Sequence, residues 1–269
     1  SGRRIMAITT FDGFIGAAKQ HQSMVKTVSR TAVAAQWTSL FDLAENPSGG
    51  VLAGTSTTTG VVPTDATPGT LIINAFGGGA TGYLAQVDFG STVACRIKIY
   101  DLLWKGGAYA FNASTTGNTP ASFSSRVPGG TDFSDTQLWY EQVTAGTGVQ
   151  NVAVTYNDEN GVSSTTGTVA APAAMILGRM FQIGLAAGDR GIQGVTGVVG
   201  SVATAGTFNI LVMRPIWSGR VRTANDGGAH DLALTGMPEI YADSALVMIV
   251  APDSTATGIP ELELVIANG

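Results

Sequence analysis

Nowhere does this chain hold apolar residues at helical spacing for more than a turn or two. Short runs instead alternate apolar and polar residues and end at glycine, proline or asparagine. That pattern rules out helical bundles and coiled coils and calls for short strands joined by turns. Tyr83 to Phe89 and Thr92 to Tyr100 flank Gly90-Ser91 and read as a hairpin. Leu138 to Val143 is a further strand. Val152 to Tyr156 and Val162 to Val169 flank Asn157-Asp158-Glu159-Asn160-Gly161, whose Asn-Gly pair accepts φ > 0 and marks a second hairpin. Phe181 to Leu185, Gly194 to Val199, Phe208 to Arg214, Leu246 to Val250 and Leu262 to Ile266 complete about nine to eleven strands with no βαβ rhythm. The expected fold is all-β: a two-sheet β-sandwich, jelly-roll-like, with a short N-terminal helical segment and a long extended loop.

The helical segment lies between Thr10 and Ser29, where Thr10 can cap Phe11 onward and Phe11, Ile15, Ala18 and Gln22 share a face. The loop runs from Gly49 to Thr70, rich in Gly, Ser and Thr and broken by Pro63 and Pro68. A loop of that length in a compact domain is commonly functional. It divides the chain into an N-terminal arm and extended loop (1–70) and a β-sandwich domain (71–269). His230 to Met237 accommodates one helical turn. Arg3 and Arg4 lead into no apolar stretch, so no signal peptide is expected. Met6 reads as a natural start.

Charge is scarce. Of 269 residues 12% are charged and 36 are Gly, with a net charge of −5. An average soluble domain has about 25% charged residues and about 7% Gly. Few basic residues and an acidic pI argue against a sequence-independent grip on nucleic acid. No apolar stretch is long enough for a membrane helix. The one cysteine, Cys95, alternates with Ile97 and Ile99 as a small buried hydrophobe and suits a reducing cytoplasm.

Catalytic patterns are weak. Gly77-Gly78-Gly79-Ala80-Thr81-Gly82 has the spacing of a dinucleotide loop, with Asp101 near the acidic offset, but it opens a strand rather than a helix. His21 lies in a polar run and reads as solvated. His230 reads as part of a cap region. One Cys and two distant His supply no structural zinc site, and Asn157 to Gly161 lacks the later bidentate Glu of a calcium loop. Asp132 and Asp135 form a candidate carboxylate pair for glycoside hydrolysis, against the simpler reading of an inter-strand loop. No enzyme, cofactor or metal is expected. Trp37, Trp104, Trp139 and Trp217 read as core or subunit-interface anchors before sugar-stacking platforms. Adjacent strand residues face opposite sides, so one of Trp139 and Tyr140 should leave the main core.

Five stretches, Met6 to Gly13, Gly60 to Asp65, Ser125 to Asp132, Leu185 to Gly191 and Phe208 to Trp217, together resemble uncharacterised virion structural proteins of tailed bacteriophages. The resemblance implies a virion component without catalytic residues, such as a capsid decoration (cement) protein that binds the major capsid protein and stabilises the head shell. It implies a virion location and a homo-oligomer, with a trimer by analogy to decoration at three-fold positions. A tail or head–tail component, a major capsid subunit and a carbohydrate-binding fibre module remain alternatives. The residues expected at contacts are Thr55, Val61, Val62, Pro63, Thr64 and Asp65 of the loop, with Trp104 and Trp139.

Overall fold

A computed structural model describes residues 8, 10–77, 80–112, 114–116, 120–147, 150–171, 175–200 and 205–269. In chain order its elements are α1 (Phe11–Gly16), β1 (Lys19–Val25), β2 (Thr38–Ser39), β3 (Ser56–Val61), β4 (Gly82–Ser91), β5 (Cys95–Ala110), β6 (Ser114–Thr116), β7 (Gln137–Thr144), β8 (Gln150–Asp158) and β9 (Ser163–Ala171). They continue as β10 (Met180–Ile183), β11 (Ile192–Gly200), β12 (Thr207–Val221), β13 (Asp226–His230), α2 (Leu232–Thr235), β14 (Glu239–Ile240), β15 (Leu246–Pro252) and β16 (Pro260–Asn268). The fold is all-β and antiparallel, a jelly-roll-like sandwich as the alternation requires.

The strands form three sheets rather than two. A long central sheet runs β10-β7-β12-β5-β15-β2, with β3 added to β5. A second runs β1-β16-β4, with β13 and β14 both on β4, and a third runs β6-β11-β8-β9. The central sheet can face both others because β5 and β12 span 16 and 15 residues and pair along most of that length. At one end Cys95, Ile97, Ile99, Met248 and Val250 pack against Leu84, Val87, Leu262 and Leu264 of the second sheet. At the other end Leu103, Leu138, Tyr140, Ile210 and Val212 pack against Val152, Val154, Val195 and Val198 of the third. A further cluster covers the reverse of the central sheet, where Phe41 and Leu52 lie on Tyr100, Leu102, Trp139, Leu211 and Met213.

That double coverage explains the two adjacent aromatics. Tyr140 joins the core against the third sheet and Trp139 the reverse cluster, and both are buried. Cys95 is buried beside Ile97 and Ile99, as expected.

Besides the number of sheets, three expectations are corrected. β4 and β5 do not form a hairpin: β4 pairs with β16, β13 and β14, whereas β5 pairs with β12, β15 and β3. Their apolar faces meet across the core, so the turn after Ser91 carries the chain between sheets, as in a Greek-key crossing. The segment Thr10 to Ser29 is helical only over Phe11–Gly16. Its second half is β1, paired with β16 from Lys19↔Ala267 to Val25↔Glu261. Residues 1–70 are not set apart from the sandwich either, since β1, β2 and β3 all belong to its sheets. The second hairpin is present, closed at Asp158 to Val162. Asp158 Oδ1 accepts from Asn160 N and Val162 N, both at 2.8 Å, and only Gly161 takes positive φ, at 80°.

Candidate interaction surface

Among the described residues no group of three or more His, Cys, Asp or Glu could hold a metal ion. The candidate catalytic residues lie apart. His21 is exposed on β1. His230 ends β13, and its Nδ1 accepts from Trp217 Nε1 at 2.9 Å; the cap of α2 is the next residue, Asp231. Asp132 and Asp135 are exposed in the loop before β7. The Ser134 backbone N–H holds the Asp132 carboxyl below its ordinary range, the opposite of what a glycosidase acid needs. The glycine loop leads into β4, a strand, with Gly78 and Gly79 outside the described residues.

The loop of expected contact residues is folded onto β5. Gly60 takes φ +63°, and a Cβ there would lie 2.2 Å from the Trp104 ring. The Trp104 indole Nε1 donates to Thr59 O at 2.9 Å, and Gly54 N donates to Asn209 Oδ1 at 2.9 Å. Pro63 is buried and Val62 packs on the core. Thr64 and Asp65 are tied into a turn: Thr70 Oγ1 donates to Thr64 O at 2.8 Å, and Ile73 N donates to Asp65 Oδ2 at 3.2 Å. Thr55 and Val61 remain exposed. Trp104 and Trp139 are core residues, 0% and 1% exposed, and present nothing to a partner. Of the expected contacts, the structure therefore leaves only Thr55 and Val61 fully at the surface.

The most exposed apolar helix face among the described residues is that of α1. Thr10 caps it, its Oγ1 accepting from Gly13 N at 3.0 Å. Lys19 closes the other end, its Nζ donating to Phe14 O at 2.9 Å and Ala17 O at 3.1 Å while lying 4.6 Å from the Phe14 ring centroid. A free helix of six residues would not persist in water. This one is held at both ends, yet it buries none of its side chains, and Phe11 and Ile15 are 67% and 60% exposed. The spacing of Phe11 and Ile15 was legible in the sequence; that the face is left open was not.

No family profile matches the chain, and no curated protein matches it. Among solved structures, that of infectious bursal disease virus Gx strain aligns at 8% identity over 94% of this chain and 80% of the other, with a TM-score of 0.18. The Gt strain of the same virus gives 9% identity over 94% and 81%, also with a TM-score of 0.18. The VP2 subviral particle of that virus gives 8% over 94% and 79%, with a TM-score of 0.15. Scores that low do not define a common fold.

Proposed function

We propose that the chain is a structural subunit of a virus particle of the tailed-phage kind, acting as a decoration protein on the head shell. The observation that carries this reading is α1, a pre-organised helix whose apolar face is presented to solvent rather than to its own core. A helix ordered in advance loses little further freedom on docking, which favours binding. The shortage of charge fits the same role, because Lys and Glu are depleted at the cores of protein interfaces. Repeated sites on a shell convert modest contacts into firm attachment through effective concentration. The resemblance of Met6 to Gly13, the stretch that contains most of α1's cap and first turn, points to the same class of particle.

The paired substitution Phe11→Ser and Ile15→Ser tests the contact. Both side chains are solvated already, so stability should move by no more than about 0.5 kcal/mol. Binding to heads that lack the protein should fall by about tenfold or more, read by co-sedimentation. Unchanged binding would remove α1 from the interface, and absence of parent binding at micromolar concentration would sink the decoration reading. The number of bound copies separates the alternatives: a tail or connector part follows the low-order symmetry of that structure, whereas a shell component repeats over the whole head.

A further inference from the structure

The segment from Val51 to Pro68 lines a pocket, open to solvent on one side, that the particle reading does not use. Its walls are Phe41, Val51, Thr55, Val61, Pro63 and Lys105, and it holds about 160 Å³. An apolar cavity of about 150 Å³ is enough for a benzene ring. Glycines fix its shape: a Cβ at Gly50 would lie 2.5 Å from Phe41 Cε1, one at Gly69 2.7 Å from Phe41 Cε2, and one at Gly54 2.8 Å from the Gly107 backbone. With the turn at Thr64 to Thr70 locked by its own hydrogen bonds, the cavity is formed before any ligand arrives.

Its one charged wall is Lys105. This residue lies on β5 opposite Leu211 of β12 and is only 7% exposed. Its Nζ donates to Val51 O at 3.0 Å and sits 4.3 Å from the Phe41 ring centroid. Among the described residues no carboxylate is within ion-pair distance of it. Lys26, the other deeply buried lysine, differs: its Nζ donates to two carbonyls, Leu43 O and Pro47 O. An ammonium carries three donors, so Lys105 retains hydrogen-bonding capacity beside an apolar space.

We propose that this cavity binds a small apolar monocarboxylate, its hydrocarbon body between Val61, Pro63 and Phe41 and its acid group on Lys105 Nζ. The chemistry selects this class. A phosphate dianion would find one cation and an apolar wall, too few donors for its charge. A neutral hydrocarbon would fill the space but offer the buried ammonium no further hydrogen-bond acceptor. Burial holds the Lys105 ammonium below its ordinary pKa against the opposing pull of Glu141 and Asp42, and a carboxylate in the cavity would relieve that cost. The site is independent of the particle role, since α1 contributes nothing to it.

Benzoate is the probe, and benzyl alcohol its neutral counterpart, smaller by one oxygen. Titrated into the isotopically labelled full chain, benzoate should shift the backbone amide signals of Val51, Val61 and Lys105 saturably. Benzyl alcohol should bind about tenfold more weakly, the scale of one charge-assisted hydrogen bond. Lys105→Met should reduce benzoate affinity by about tenfold while sparing benzyl alcohol. Val61→Phe, at a rim position 40% exposed, should abolish both and serves as the test if Lys105→Met does not fold. Equal affinity for the two probes, absence of a saturable shift, or benzoate binding indifferent to Val61→Phe would each overturn the proposal.

Discussion

Asp101→Ala is expected to destabilise the protein by about 3–5 kcal/mol, the cost of breaking a buried ion pair from one side. Asp101 lies on β5 and is 0% exposed. Its Oδ1 is 3.1 Å from Arg126 Nη1 and accepts from Ala245 N at 2.9 Å. Its Oδ2 accepts from Ser244 Oγ at 2.8 Å and lies 3.5 Å from Arg214 Nη2. Arg126 is itself fully buried and also donates to Leu102 O, Leu103 O and Asp243 O. The carboxylate is thus the sole counter-charge, among the described residues, for two buried guanidiniums. Without it both are left without a carboxylate in the core, and the loop carrying Arg126 keeps only carbonyl contacts to β5. For a chain of this length the loss amounts to a fall of roughly 6–20 °C in unfolding midpoint. The triple variant Asp101→Leu, Arg126→Met, Arg214→Met should be less destabilised than Asp101→Ala, because it removes the charges together. A midpoint for Asp101→Ala close to the parent's would show that the cluster is not the clamp described here.

Deletion of Gly54 to Thr67, rejoined by a short Gly-Ser linker, should abolish the cooperative unfolding transition. If the segment were a detachable arm, the remaining sandwich would keep its fold. Instead it supplies β3, places Gly60 against Trp104, and accepts the Trp104 indole N–H at Thr59 O, which also accepts from Ala121 N. Removing it would uncover the largest fully buried side chain and leave that indole N–H without a protein partner. Truncating a buried Trp alone costs about 3–5 kcal/mol, against a total stability of about 5–15 kcal/mol for ordinary domains. A near-native transition in a thermal scan of the deletion variant would restore the arm reading.

The two expected results mark where the sequence could be read and where it could not. Strands were legible in two forms: β8 and β16 as alternating runs with one apolar face, and β7 and β15 as runs rich in apolar residues and buried on both faces, each found within a few residues of the expected bounds. The turn at Asp158 to Gly161 was legible because its chemistry is local. Partner choice was not local. β4 and β5 look like a hairpin over their own residues, and only the pairing of β4 with β16, more than 150 residues away in chain order, sends them to different sheets. β1 carries no strong alternation in Lys19 to Val25 and becomes a strand because β16 offers it an edge. The Asp101 cluster joins residues 25 and 113 positions apart, for which no spacing rule exists. At the contact surface, the loop's low complexity was visible, but small residues there serve close packing on Phe41 and Trp104 rather than projection from the fold. The open face of α1 is the reverse case, an apolar spacing that ordinarily marks a core-facing helix and here faces solvent.

The central claim is that this chain is a repeated building element of a particle, and its copy number tests that most directly. Quantitative mass spectrometry of virus particles purified from cells that produce the chain should find it on the order of hundreds of copies per particle, in fixed proportion to the shell protein. Its absence from purified virions would contradict the account.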